Sequence, residues 1–408
     1  MASVQHLQDP PGDRVPPADD PPASTPETGR RASANRLIGV DLARGLAVFG
    51  MYAAHVGPSP DQGGVTGFLM ELTHGRASAL FAFLAGFAVV LITGRSTPKT
   101  GLAGRQAVAK VVIRAVMLLA MGTALTSTGT PVEVILAFYG VYFLLVLPLY
   151  RLRARSLAVI AVGTAVVLPQ LLYIGMQVIG DGTYDDGNRG HGGVDGIISL
   201  LFSGSYPAIT WVPFVIAGMA VARLDLASAA VRIRLAVSGA ALAVAGYGCS
   251  WLALHLVPGA LDALVQVAGP DVASAWWSDS AGYPTYDTPA WMLVASPHSE
   301  TTLSIVANTG VAIAVLATCL IAVDAVPRLR SLARPVIAVG SMSLTAYVLH
   351  IAGIWLLGIE ELPGPPLPVL FGFIGAVMVF ATVWSRFFRR GPLEQLMAKA
   401  TGIARHVR

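Results

Sequence analysis

Charge is scarce in this chain. Only 12% of its 408 residues are Asp, Glu, Lys or Arg, while 54% are hydrophobic, and the mean hydropathy is +0.66. That balance excludes an ordinary soluble globule. Cysteine is scarcer still: Cys249 and Cys319 are the whole supply, so neither a disulfide framework nor a thiolate metal site is expected, and packing is the role expected of both. No HExxH pair, no GxSxG elbow, no dinucleotide fingerprint and no glycine-rich phosphate loop occurs in a supporting context; no metal is predicted. Nor is there an internal repeat or a matched pair of discontinuous helices of the kind that marks many transporters. Residues 1–34 lack any apolar run. Rich in Pro, Asp, Ala and Ser, they read as a disordered cytosolic tail and not as a cleaved signal peptide.

What the chain does have is long apolar segments. Taking a membrane span as roughly 17 to 25 mainly apolar residues, the sequence predicts an all-α integral membrane protein, a bundle of about ten transmembrane helices. They fall near 37–56, 77–93, 108–126, 132–150, 156–179, 206–222, 235–257, 302–323, 336–358 and 367–388. Basic residues test that count independently, because Lys and Arg accumulate on the cytosolic side. With both termini cytosolic, 24 of the 27 Lys and Arg fall on that side, leaving only Arg44, Arg76 and Arg189. The net charge of +4 therefore describes a sided membrane protein and gives no argument for nucleic acid. Three segments follow: the tail, a transmembrane domain over 35–390, and a basic amphipathic helix over 391–408 that suits the cytosolic leaflet.

The stretch from Asn35 to Arg95 concentrates the polar residues. Asp41, Arg44, Val48, Tyr52 and His55 recur at separations that return to one azimuth of a helix, so the stripe should face protein and not lipid. Asp41 and Arg44 are charges inside a span, which marks them for binding a substrate or donor; an i,i+3 ion pair anchoring the helix is the competing role. His55 lies about 21 Å farther along, at the opposite face of the membrane. The second span opens after His74, Gly75 and Arg76, and its Ala82 and Gly86 have the small-xxx-small spacing of close helix contact. These first two spans are expected to pair antiparallel, bringing His55, His74 and Arg76 together.

Farther on, the loop from Asp181 reads as an Asx- and Gly-rich surface loop, with Asp185, Asp186 and His191 weighed as a cation site. The loop from Pro258 to Glu300 carries Trp276, Trp277, Tyr283, Tyr286 and Trp291. An interfacial aromatic belt is preferred for them over stacking on a sugar or lipid acceptor. His298, Ser304 and Asn308 give the start of the eighth span a polarity that suits a wet cavity. Ser343, Tyr347 and His350 share one face of the ninth. Acyl transfer suits this inventory, because an acceptor hydroxyl or amine needs a positioned base and imidazole is the usual choice. Arg76, a backbone NH or a second imidazole could stabilise the oxyanion.

The blocks RLIGVDLARGLAVFGMYAAHVG and LTHGRASALFAFLAGFAVVL resemble the start of the heparan-alpha-glucosaminide N-acetyltransferase family of transmembrane acyltransferases. SGSYPAITWVPFVIAGMAVARLDL, SPHSETTLSIVANTG, VGSMSLTAYVLHI and RRGPLE look like the related bacterial YeiB-type membrane proteins. The resemblance implies acetyl transfer from acetyl-CoA to an acceptor across the membrane, with a catalytic histidine before the second helix, where His74 stands. The glucosaminide enzyme has Asn where this chain has His55. The expected function is thus an acyltransferase of a bacterial plasma membrane, using acyl-CoA and an extracytoplasmic glycan or glycolipid. His74 would be the general base, His55 and Arg76 its assistants, and Asp41, Arg44, His298, Asn308, Tyr347 and His350 would bind substrate or donor. Membrane lipids are the expected surroundings, and a homo-oligomer is left open. A transporter or lipid flippase is the rival, since charged and polar stripes could also line a transport path; a non-enzymatic partner in a cell-envelope complex is the third reading.

Overall fold

The computed structural model describes residues 26–95, 97–179, 193–279, 282 and 284–408. The start of the tail, the Asp181 loop with Asp185, Asp186 and His191, and Tyr283 lie outside these residues. Among the described residues the chain is entirely helical. In order, its helices are α1 (Pro26–Val56), α2 (Gly64–Glu71), α3 (Arg76–Thr93), α4 (Gly101–Thr126), α5 (Leu136–Val146), α6 (Ala154–Ile179), α7 (Gly193–Ile198) and α8 (Ala208–Ala222). Then follow α9 (Ala229–Leu256), α10 (Ala260–Ala268), α11 (Thr302–Ala325), α12 (Pro327–Leu332), α13 (Arg334–Ser341), α14 (Ser343–Leu356), α15 (Leu367–Phe387) and α16 (Pro392–Gly402). The first helix begins well before the Leu37 expected of it, and α2 forms in the loop that follows.

Six helical stretches among the described residues are long and apolar enough to cross a membrane, and two bent pairs bring the number to eight. One pair breaks by 61° before α8 and the other by 90° between α13 and α14. Much of the apolar surface stays outside the bundle: Val159 and Val162 on α6, Val237 and Val244 on α9, and Phe371 and Val379 on α15 are all exposed. Exposed apolar area on that scale is what a bilayer covers. The chain is therefore a multi-pass membrane protein of the all-α class.

The core is built by close helix contact. Gly86 does permit the approach its spacing predicts, but toward α8: a Cβ there would lie 2.0 Å from the Val215 carbonyl, and one at Gly218 would lie 1.8 Å from the Phe83 carbonyl. Only glycine lets these two backbones touch. The first span instead meets the second at Gly50, against Ala77. The stripe of α1 is turned inward as its period requires, with Val48 and Tyr52 almost wholly buried.

Two expected surfaces are different in the structure. The loop from Pro258 is no simple aromatic belt. It folds over one end of the bundle around its own small core of Leu254, Leu264, Val272, Trp291 and Val294, and the Trp291 indole donates to the Ser299 carbonyl at 2.9 Å. The C-terminal helix is not merely laid on a leaflet either. Met397 and Ala404 are buried, and Glu394 caps α14: its carboxylate accepts from the backbone of Leu344 and Thr345 at 2.9 and 3.1 Å and from the Thr345 hydroxyl at 2.6 Å. Those donors are the orphan NH groups that every helix start must satisfy.

Candidate active site

His74 sits in the turn between α2 and α3. Gly75, which follows it, has φ 59°, and a Cβ there would lie 2.2 Å from Cβ of Pro297 and 3.1 Å from the His298 ring. Glycine is thus required twice, by the backbone and by the neighbouring loop. The turn aims Nδ1 of His74 at Oδ2 of Asp279, 3.7 Å away, while Nε2 is buried without a hydrogen-bond partner. A carboxylate on the Nδ1 side favours the proton there, which leaves the Nε2 lone pair free to accept one. Asp279 belongs to the loop and is itself fixed, its backbone NH donating to Oε1 of Glu71 at 2.7 Å.

Arg76 ties these parts together. Its guanidinium donates through Nε to the Tyr247 hydroxyl at 2.9 Å, through Nη1 to the Glu71 carbonyl at 2.8 Å and through Nη2 to the Trp277 carbonyl. It also lies over the rings of Tyr247 and Trp277. All three nitrogens are engaged by protein, so its place is that of a clamp between α2, α9 and the loop. The network continues from the Tyr247 hydroxyl to Asn308 at 2.9 Å, and from Asn308 back to Ser304 at 2.9 and 3.1 Å. Thus Asn308 orients the clamp.

A second imidazole chain lies alongside. Nδ1 of His350 bonds the Tyr347 carbonyl, which can only accept, so Nδ1 carries the proton. Nε2 of His350 then accepts from Nδ1 of His55 at 2.9 Å, and the rings stack with centroids 5.1 Å apart. The far nitrogen of a neutral His55 is thereby also a base. His55, His74 and His298 are within electrostatic range of one another. Tyr347 joins this chain through its carbonyl, while its hydroxyl accepts from the Ile135 backbone at 3.2 Å.

The loop contributes two strained residues, His298 and Glu300, both at φ 58°. Positive φ at a residue with a side chain costs energy and is found where position matters more than comfort. Burial lowers the pKa of His298, opposed by the charge of Asp279 and a bond to the Ser205 backbone and reinforced by His74. Burial pushes the Glu300 carboxyl up to about 7, although Thr210 and Trp211 both donate to it. Gly75, Trp211, His298, Glu300 and Asn308 surround a small cavity.

At the other end of the bundle Asp41 and Arg44 form the i,i+3 ion pair that was the competing role for them, at 3.1 Å. Arg44 also lines a cavity of about 250 Å³ with Arg114, Tyr139, Ser343 and Glu394. Arg114 has a buried Nε without a partner. In the sequence it reads as one of the basic residues of the cytosolic side, the one deepest in the apolar helix. Asp279, Glu71 and Tyr247 gave no comparable signal, because each gains its meaning from a contact across the chain.

Fold and site together define a helical membrane protein with its imidazoles and carboxylates gathered at one end. Residues 36–257 match the family described as heparan-alpha-glucosaminide N-acetyltransferase, catalytic, and the chain belongs to that family, a family of transferases. Residues 273–404 match a second family, described as a protein of unknown function (DUF418). No curated protein matches the chain. The site straddles the two matched segments: His55, His74, Arg76 and Tyr247 come from the first, and Asp279, His298, Asn308 and His350 from the second.

Proposed function

We propose that the protein is an acetyltransferase that moves an acetyl group from acetyl-CoA, held at the Arg44 and Arg114 end, to an extracytoplasmic glycan or glycolipid acceptor at His74. The observation that carries this reading is the buried, unpartnered Nε2 of His74 with Asp279 behind its Nδ1. That arrangement suits a general base.

In the reaction Nε2 takes a proton from the acceptor amine or hydroxyl as its heteroatom attacks the thioester carbonyl. The tetrahedral intermediate collapses with cleavage of the carbon–sulfur bond, and the imidazolium returns its proton to the departing thiolate of CoA. Asp279 holds the ring and offsets its transient positive charge. His55, oriented by His350, accepts from the acceptor through its far nitrogen, and Arg76 keeps the loop closed over both.

Donor binding is supported by the cavity at the opposite end, where two guanidinium groups suit the phosphates of CoA. Its inner wall reaches Phe81 on α3, seven residues or roughly 10 Å along the helix from His74. The distribution of basic residues supports a cytosolic donor end and cytosolic termini in a bacterial plasma membrane. A ten-span topology follows if α1 and the apolar segment Leu136–Arg151 cross as well.

The test uses detergent-purified protein with acetyl-CoA labelled in the acetyl group, measuring CoA release and the fate of the label. His74→Ala should lower CoA release by about 10² to 10⁴. Turnover equal to wild type in that variant would sink the assignment of His74, and substrate flux without any CoA release would replace the reaction with transport.

A further inference from the structure

A narrow crevice opens on the outer side of α14 and α15, with a volume of about 530 Å³. Its walls are apolar, with Leu349, Gly353, Gly372 and Phe373 among them, and its floor is formed by Tyr52 and His350. The polar atoms of the floor are already satisfied: the Tyr52 hydroxyl donates to the Ala346 carbonyl at 2.7 Å, and both His350 nitrogens are bonded. No wall group is left to bind a polar ligand, so the crevice suits hydrocarbon.

Shape narrows the choice. The lining runs along α15 from Val369 to Phe380, which at about 1.5 Å per residue is roughly 17 Å. Spread over that length, the volume gives a mean cross-section of about 30 Å², room for an extended chain. The rim residues Leu349 and Leu357 are 43% and 67% exposed, on the flank a bilayer would cover. Beneath the floor, His350 is bonded to His55, so a chain lying in the crevice would hold its head at the imidazole cluster. Apart from Tyr52, the lining falls outside residues 36–257 and so belongs to no part of the glucosaminide family match.

We infer that the crevice binds the hydrocarbon tail of a lipid-linked acceptor, which enters sideways from the outer leaflet and presents its amine or hydroxyl to His74. This rests on the transferase reading and names its substrate class: an amphiphile with a nucleophilic headgroup, in preference to a free glycan.

The experiment uses the full chain in nanodiscs and a dodecyl glucosaminide carrying a diazirine on its tail, with unmodified dodecyl glucosaminide, palmitoyl-CoA and free glucosamine as competitors. A Cβ at Gly372 meets nothing within 4 Å, so Gly372→Leu fills the crevice without a backbone clash. Gly375→Leu is the control, since that position is equally open but does not line the crevice. Photolabelling should map to α14 and α15 and fall about tenfold or more in Gly372→Leu only. In turnover, the KM for dodecyl glucosaminide should rise by a similar factor while that for glucosamine stays put. Labelling spread evenly over the apolar helices, or equal in the two variants, would overturn the proposal, as would competition by palmitoyl-CoA alone, which would make the tail a donor's. Specific labelling without any acetyl transfer would refute the transferase reading and leave a lipid site; transfer with unspecific labelling would refute the crevice alone.

Discussion

Asp279→Asn removes one charge and almost no volume, which makes it the sharpest probe of the His74 site. The carboxylate lies 3.7 Å from Nδ1 of His74, where a full ion pair is worth about 4 kcal/mol at an effective dielectric constant of about 20. The Asp279 side chain is 30% exposed, and solvent screening brings the contribution to roughly 1–3 kcal/mol. The charge matters most once the imidazole has taken a proton, so the loss should appear in kcat, as a fall of about tenfold to a hundredfold. The KM for acetyl-CoA should not move, because the donor cavity is at the other end of the bundle. Asp279→Asn keeps a polar oxygen facing Nδ1, whereas Asp279→Ala removes it as well and should fall further. CoA release under saturating donor is the assay, with thermal melting as a check that the loop remains folded. A kcat within about twofold of wild type, in a variant that melts normally, would refute a base assisted by Asp279.

Glu300 predicts a pH dependence. Its folded pKa, pushed up to about 7 by burial, exceeds the ordinary value of 4.5, so its contribution to stability is complete below the ordinary value and is lost as pH rises through 7, by about 3 kcal/mol in all. Glu300→Gln, whose amide can meet both Thr210 and Trp211, should flatten the decline of melting temperature between those limits; parallel profiles would show that the carboxyl is not the cause. Gly75→Ala forces a Cβ against Pro297 at a positive φ and should destabilise by about 1–3 kcal/mol while displacing His74, so a variant with normal melting and normal turnover contradicts the geometry of that turn. Arg114→Gln would remove the charge-assisted bond proposed to hold the donor, about 1.5–3 kcal/mol, and should raise the KM for acetyl-CoA about tenfold or more with kcat nearly unchanged; an unaltered KM would move the donor away from that cavity.

Much of this could be read from residue order. Helical periodicity gave the inward stripe of Asp41, Arg44, Val48, Tyr52 and His55, and apolar length gave the helical class. The meeting of His55 with His350 followed only in part: both were seen on polar faces, but nothing in either segment states that those faces touch. Asp279 was harder. It is one acid among many in the loops, and its value comes from standing beside a histidine more than two hundred residues earlier. Gly86 shows the same limit in another form. Its spacing announces a close contact, but the partner is chosen by the whole bundle, and α8 was not the neighbour expected. Trp291 misled because aromatic density suits a membrane interface, and only tertiary packing reveals a loop with its own core.

The division of the site between the two matched segments bears on how such a protein could be inherited or taken apart. A chain that carried only the front segment would keep the histidine but lack the acid behind it. One with only the back segment would keep the acid, the loop over the bundle end and the crevice, without His74. Neither piece holds the whole of the proposed site, so the connection between them, near residues 258–272, is where coexpressed fragments should complement one another and where either fragment alone should be silent.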